Sequence, residues 1–462
     1  MNVVDTIKNA AFASAIQAAL KYMDKDPETN IPKVMSIVDK AAPEGWYAGQ
    51  RNAIRQGIAE KGNWYELATK VWKLDPEVRK TFFTNFIVNA SLKGSALQKE
   101  TEEKEDCNVP WAILLDPTSA CNLHCTGCWA AEYGHKLNLS LETIDDIITQ
   151  GKKLGTYMYI YTGGEPMVRK KDIITICERH PDCEFLSFTN GTLIDEEFCQ
   201  EMLRVKNFVP AISLEGFEKV NDLRRGAGVY EKVLHAMDLL KASGQIFGTS
   251  ICYTSKNIET VTSDEFLDMI IEKGCRFTWY FHYMPVGNDA AVELLPTKEQ
   301  REYMYHRVRK IRSTNGGKPI FAMDFQNDGE FVGGCIAGGR NYCHINPNGD
   351  VEPCVFIHYS GANIKEVSLL DALRQPLFMA YRDHQPFNCN HLKPCPMLEN
   401  PELLQQMVHE TGAKSTDLQS PETVEHLCGK CHTYAKCWSE CADKLWSEHP
   451  REAKGYQNYK QK

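Results

Sequence analysis

Three cysteines, Cys121, Cys125 and Cys128, follow one another as Cys-x3-Cys-x2-Cys within residues 116–129. A closed tetrahedral zinc site or a cubane iron–sulfur cluster normally takes four protein ligands, and this loop offers three thiolates. An iron–sulfur cluster held by only three protein ligands keeps one iron open to a small molecule. The plainer alternatives are a structural zinc loop, or thiols that merely lie close together.

A second signal is Thr-Gly-Gly-Glu-Pro at residues 162–166. Adjacent glycines at a strand end let the backbone approach a ligand that a Cβ would obstruct. The carboxylate of Glu165 can accept hydrogen bonds from an ammonium group. Alone the motif is a simple turn; one β/α unit after the cysteine triplet it carries more weight. Further cysteines follow late in the chain. Cys335 and Cys354 fit Cys-x13-Gly-x4-Cys with the glycine at Gly349, and Cys343 lies between them. Cys428, Cys431, Cys437 and Cys441 form a Cys-x2-Cys-x5-Cys-x3-Cys string. A four-cysteine zinc site is the alternative for that string.

The elements that must position these residues change along the chain. Residues 1–106 read as helical, with Val4, Ile7, Ala11, Ile16 and Leu20 near one face and Trp64, Leu67, Val71 and Trp72 repeating the pattern. A packed helical cap fits this region; a membrane-surface anchor lacks the Lys/Arg-rich polar face it would need. The charged run at residues 101–106 reads as a solvated connector. Strand-like runs then recur at 111–115, 157–161, 185–189, 209–214, 246–252 and 277–283 with helical segments between them. Ser140 is an N-cap for one of those helices, and Gly155 stands near its end. Six β/α units predict a parallel sheet, open or curved into a partial barrel, with reactive groups at the carboxyl ends of the strands. The cysteine loop follows the first of them. Beyond about residue 320 the chain turns Gly-, Cys- and Pro-rich, with short strands at best. The expected division is a helical domain at 1–106, the β/α core at 107–315, a Cys-rich domain at 316–449 and a tail at 450–462.

Bulk composition narrows the class. The chain has 462 residues, 43% hydrophobic and 24% charged, as ordinary globular proteins do. A net charge of −9 argues against a mainly electrostatic nucleic-acid binder. Asp5 precedes any apolar stretch and no cleavage site follows, so no signal peptide is expected, and no window approaches a membrane span. Eighteen cysteines without a secretory signal point to metal or iron–sulfur chemistry in a reducing cytoplasm.

Together, the cysteine triplet and the Gly-Gly-Glu-Pro motif resemble the radical SAM superfamily. The resemblance implies a partial (β/α)6 barrel whose [4Fe–4S] cluster, on Cys121, Cys125 and Cys128, binds S-adenosylmethionine (SAM). It implies SAM contacts at Gly163, Gly164 and Glu165 for the methionyl amino group, and at Asn190, Ser213 and Glu215 for the ribose and carboxylate. Arg225, in Asp-Leu-Arg-Arg-Gly at 222–226, matches an arginine aimed at the SAM carboxylate; a solvated helix arginine is the alternative. The segment at 283–287 resembles the one beneath the adenine, and is also simply good core.

The later cysteines resemble the SPASM domain, which carries one or two auxiliary [4Fe–4S] clusters. That resemblance implies one cluster on Cys335, Cys343, Cys354 and Cys441, and a second on Cys428, Cys431 and Cys437. The usual last cysteine is missing, and Cys389 or Cys395 is available to complete the second site. The remaining Cys107, Cys177, Cys183, Cys199, Cys252 and Cys275 read as small buried hydrophobes.

The chemistry implied is reductive cleavage of SAM to a 5′-deoxyadenosyl radical, which takes hydrogen from an unactivated C–H bond, with flavodoxin or ferredoxin as reductant. SPASM relatives imply a peptide or protein substrate. The first hundred residues do not resemble a winged-helix peptide-binding domain, which leaves a lipid or other small molecule as the alternative. Val355 stands where sulfatase-maturating relatives carry an aspartate base, which argues against that reaction. Asp324, Asp328 and Glu330 offer another base or an acidic surface loop. Outside this class stand a non-catalytic iron–sulfur electron carrier and a zinc protein.

Overall fold

The computed structural model describes residues 3–41 and 48–448. One sheet dominates it: β1 Ala112–Leu115, β2 Met158–Tyr161, β3 Glu184–Thr189, β4 Phe208–Ser213, β5 Gly248–Tyr253, β6 Phe277–His282, β7 Phe321–Asp324, β8 Tyr342–Ile345 and β9 Val351–Glu352. The spatial order is β7-β6-β5-β4-β3-β2-β1-β8-β9. Every neighbouring pair from β7 to β8 is parallel, and β9 folds back antiparallel on β8. The six expected β/α units are therefore present and form a curved α/β core. Two further parallel strands extend it, β7 beyond β6 and β8 on the free edge of β1.

The strands are buried on both faces because helices cover one side and the barrel interior the other. β1 and β2 are buried at every residue. The helix Leu141–Leu154 shows the covering layer: Ser140 accepts a hydrogen bond from the Thr143 amide at its start, and Ile144, Ile147 and Ile148 face the sheet. Gly155 ends it with φ 102°, a left-handed conformation that spares a Cβ penalty.

The helical segments between Asn63 and Glu105 lie at the amino ends of the strands. Gln98 donates to the Gly155 carbonyl just before β2, Asn85 and Asn89 donate to carbonyls of residues 181–183 before β3, and Trp64 donates to the Arg312 carbonyl ahead of β7. A separate small core of Ala19, Leu20, Met23, Ile31, Val34 and Ile58 holds these helices together, with Ile16, Trp64 and Trp72 packed on it. The side chains of Val4, Ile7 and Ala11 lie outside the described residues, as does the tail at 450–462.

Residues 101–105 are not a solvated connector. They complete the helix Ser95–Glu105, where the Glu102 carboxylate accepts the Val109 amide and caps the turn into β1. The Cys-rich region also holds more helix than its composition suggests, including Pro376–His384, Pro401–Thr411 and His432–Glu448. Among the described residues no helix is long and apolar enough to cross a membrane.

Candidate functional site

The cysteine loop leaves the carboxyl end of β1, and the chain leaving β2 continues to pair with it. Thr162 donates to the Leu115 carbonyl at 2.9 Å, Gly164 to Thr118 at 3.1 Å and Glu165 to Ala120 at 2.8 Å. This approach requires glycine. A Cβ on Gly164 would lie 2.3 Å from the Ala120 oxygen, and Gly163, at φ 101°, would press on Asp116 and Thr118. The two glycines thus serve contact between loops as well as lining the space beside the cysteines.

The result is one cavity of about 250 Å³, lined by Cys121, Cys125 and Cys128 together with Gly163, Gly164, Glu165, Asn190, Ser213 and Arg225. Cys121 Sγ accepts the Leu123 amide at 3.4 Å. Burial pushes the Cys121 thiol up to about 11, and burial raises Cys128 as well. Free thiols in this setting keep their protons, so loading iron must displace them. Among the described residues no three His, Cys, Asp or Glu side chains stand close enough to share one metal ion. The donor set itself, three thiols on one cavity wall, fits a cluster spread over several irons with one iron left for another ligand.

Glu165 is fully buried and accepts from Thr189 Oγ1 at 2.6 Å, the Asn190 amide at 2.7 Å and the Met167 amide at 2.9 Å. Burial raises its pKa, and those three donors oppose the shift. A carboxylate has about four acceptor positions, so three donors fix it and leave one free. Asn190 also reaches the cysteine loop: its Nδ2 donates to Asn122 Oδ1 at 2.8 Å. Ser213 ends β4 on the cavity wall.

Glu215 stands one layer back from that wall and is fully buried. It accepts from Arg224 Nη1 at 2.7 Å and Arg225 Nη2 at 2.6 Å. Arg225 is therefore not a solvated helix arginine: its side chain is 11% exposed and held by Glu215, with its Nη1 4.0 Å from Cys125 Sγ. Arg224 is tied to the same loop, because Thr126 donates to its carbonyl at 2.9 Å and its Nε donates to the Thr126 carbonyl at 3.2 Å. Sequence reasoning passed over Arg224; its adjacency to Arg225 after Asp222 was the signal available. Cys252, which reads from the sequence as a small buried hydrophobe, is half-buried near the end of β5 and lines this cavity. Tyr283 and Met284 line it too, whereas Gly287 turns away and donates to Glu422.

The later cysteines do not gather as the expected sets. Cys335 and Cys354 line a second cavity of about 690 Å³, and the third thiol there is Cys395. Cys343 is buried on β8 and lines neither cavity, and Cys441 is half-buried and also lines neither. Cys428 and Cys431 are buried neighbours on one turn, while Cys437 and Cys389 are exposed. Among the acidic candidates, Asp328 pairs with Arg312 at 2.8 Å and Glu330 pairs with Arg309. Asp324 is fully buried, and burial pushes its carboxyl up to about 6. These three are not a solvated acidic loop.

Comparison with known proteins agrees with this geometry. Residues 115–270 match the profile of the radical SAM superfamily, and residues 335–396 match that of SPASM, an iron–sulfur cluster-binding domain. The chain is 22% identical over 366 residues to the AdoMet-dependent heme synthase of Methanosarcina barkeri, covering 74% of this chain and 93% of that protein. It is 28% identical over 292 residues to the mycofactocin maturase MftC of Mycobacterium tuberculosis, covering 58% and 74%. Streptococcus suis SuiB has a similar fold: its structure bound to S-adenosylmethionine gives a TM-score of 0.54 at 20% identity, over 74% of this chain and 82% of that one. SuiB bound to its precursor peptide SuiA gives 0.53 at 20% identity, over 66% and 76%. The chain carries a radical SAM domain at residues 115–270 and an iron–sulfur cluster-binding SPASM domain at residues 335–396; it is an enzyme, and these domains imply SAM, a [4Fe–4S] cluster and auxiliary iron–sulfur clusters as its cofactors.

Proposed function

We propose that this enzyme cleaves SAM reductively to a 5′-deoxyadenosyl radical and abstracts hydrogen from an unactivated C–H bond of a peptide or protein substrate. The observation that carries the reading is the convergence of Cys121, Cys125 and Cys128 with Glu165, Ser213 and Arg225 on one cavity. The cluster and SAM, when bound, supply one-electron cleavage of a sulfonium C–S bond, with the electron drawn from a flavodoxin or ferredoxin. The chain's own residues do the positioning. Cys121, Cys125 and Cys128 hold the cluster, and the Gly163-Gly164-Glu165 turn receives the methionyl ammonium at the one acceptor position its donors leave free. Asn190 and Ser213 face the ribose. Arg225 meets the carboxylate, held there by Glu215. Apolar walls exclude water, which keeps the radical from reacting elsewhere. A peptide substrate is supported by the maturase and the peptide-bound SuiB among the similar proteins.

One observation favours a second reading, an apolar small molecule such as a lipid. The 690 Å³ cavity runs on from the first, sharing Trp111, Trp279, Phe325 and Phe356, and the helical cap adds Trp64, Phe82 and Phe86 at its base. A peptide backbone in such a space would leave polar groups unpaired, at about 1–3 kcal/mol each. Deuterium transfer separates the two readings. Peptide and organic-solvent extracts from cells grown in heavy water are incubated anaerobically with enzyme, SAM and dithionite, and 5′-deoxyadenosine is weighed by mass spectrometry. Deuterium arriving from the peptide extract supports the first reading, and from the lipid extract the second. If no 5′-deoxyadenosine forms at all, the catalytic proposal is wrong.

A further inference from the structure

We propose that the barrel interior beneath the cysteine-lined cavity binds a long-chain alcohol, its hydroxyl hydrogen-bonded to Glu184 beside the helical cap and its hydrocarbon chain rising toward Cys121, Cys125 and Cys128. The inference rests on the second reading above, an apolar substrate. Side chains alternate along a strand, so the inward set forms one column. On β3 the column is Glu184, Leu186 and Phe188: the first two line the 690 Å³ cavity, and Phe188 lines the cavity of the cysteines. On β6 it is Phe277, Trp279 and Phe281 in the same order, with Trp279 shared by both cavities. The two cavities are therefore successive levels of one interior. At about 3.3 Å per residue, the stretch from Glu184 to Phe188 spans roughly 13 Å.

Glu184 is the exception on an apolar stretch of wall. It stands in register with Met158 on β2, and the next level pairs Ile160 with Leu186. Val209, Phe277 and Phe86 line the same space. Glu184 is 1% exposed, yet neither carboxylate oxygen has a hydrogen-bond partner. Asn85 of the cap is beside it, but its amide donates to the Pro181 and Cys183 carbonyls at 3.1 and 2.9 Å, which uses both hydrogens. Arg312 and Asp328, on the same cavity, pair with each other at 2.8 Å. A buried acid left without a partner is costly, and this one faces a space large enough for a ligand.

The occupant follows from these walls. Burial holds the Glu184 carboxyl well above its ordinary range, so the group is a neutral acid that both donates and accepts. A hydroxyl offers the same two roles in return. An ammonium would need the ionised acid, which burial disfavours, and a carboxylate would set acid against acid. A peptide would bring several unpaired amides into the column, whereas a hydrocarbon chain brings none. The volume suits such a molecule, since small-ligand sites run from about 300 to 1,000 Å³. With the hydroxyl held at the cap, carbons far along the chain come to the cysteine end, where their C–H bonds are unactivated. Another wall of the cavity carries Cys335, Cys354 and Cys395, so binding is measured on the iron-loaded chain.

1-Decanol and 1-chlorodecane are titrated anaerobically into the full iron-loaded chain and followed by calorimetry. Glu184→Leu is expected to weaken 1-decanol about 3–10-fold, the worth of one hydrogen bond, and to leave 1-chlorodecane as tight or tighter. Val209→Trp, which fills the column, is expected to abolish binding of both. No binding of 1-decanol to the unsubstituted chain, an unchanged affinity in Glu184→Leu, or full binding in Val209→Trp overturns the assignment. Should Glu184→Leu misfold, infrared difference spectra of the unsubstituted chain decide. The C=O stretch of a protonated carboxyl should shift with 1-decanol and not with 1-chlorodecane, and that band should vanish in Glu184→Gln; no shift refutes the contact. The apolar-substrate reading is judged apart, by deuterium transfer. Deuterium from the organic extract without 1-decanol binding keeps that reading and removes this site; 1-decanol binding with deuterium from the peptide extract does the reverse.

Discussion

His344 Nε2 lies 3.0 Å from Asp116 Oδ1, joining the strand that opens the Cys-rich region to the strand that launches the cysteine loop. The other ring nitrogen lies 2.6 Å from Glu352 Oε2. Glu352 also accepts from Tyr133 at 2.8 Å, so the segments before and after the loop both end on one buried group. Burial opposes a charge on His344, but the two carboxylates outweigh it and push the imidazole up to about 10.

This network predicts an alkaline loss of stability. A histidine whose pKa is raised on folding contributes fully below its unfolded value, about 6.5, and loses that contribution as pH rises through the folded value, about 10. Anaerobic urea unfolding should show stability declining across that window. His344→Gln should be less stable at pH 7 by about 3–5 kcal/mol, the cost of stranding a buried partner, and flatter with pH. Parallel pH profiles for the two proteins would refute this account.

Glu215→Gln tests whether Arg225 must be held. A neutral amide cannot bind two guanidinium groups as the carboxylate does, and each charged hydrogen bond lost is worth about 1.5–3 kcal/mol. SAM affinity, measured by equilibrium dialysis on the iron-loaded protein, should fall roughly 10–100-fold, at about tenfold per 1.4 kcal/mol. Iron content should not change, because Glu215 lies behind the cavity wall and touches no cysteine sulfur among its hydrogen-bond partners. Loss of iron in this variant would mean that the glutamate supports the loop instead.

What the sequence discloses follows from where the physical partners lie. The six core strands were legible because each is an apolar run between local punctuation; Ser140 and Gly155 bracket their helix within one segment. β8 was not, since Tyr-Cys-His-Ile reads as a strand only once Asp116 and Glu352 are known to compensate His344. Glu215 and Arg225 were singled out individually, but their pairing is a contact in space. Cys343 illustrates the converse: lying between Cys335 and Cys354 in sequence, it is turned from them by strand alternation, while distant Cys395 joins them.

Gly164→Ala probes the contact between the two loops. The new methyl would meet the Ala120 and Ser119 oxygens at 2.3 and 2.5 Å, and both are backbone atoms that cannot rotate aside. The cysteine loop must shift, one residue before Cys121. Reconstituted protein should hold about four fewer irons per chain and show no SAM-dependent EPR change, with the auxiliary signal preserved. A variant that binds SAM and iron normally would show that the close approach is dispensable.

Tyr342→Phe isolates one hydrogen bond to sulfur. The hydroxyl donates to Cys354 Sγ at 2.7 Å, drawing negative charge from a thiolate within the iron–sulfur cluster-binding SPASM domain. Hydrogen bonds of this kind stabilise the more negative, reduced state and so raise the potential. Phenylalanine keeps the ring that fills this part of the cavity, so iron content should hold while the midpoint moves to a more negative value. EPR-monitored titration in the chain lacking Cys121, Cys125 and Cys128 reads that shift directly. A potential that stays put or rises would place Cys354 outside the cluster, and with it the reason for the tyrosine.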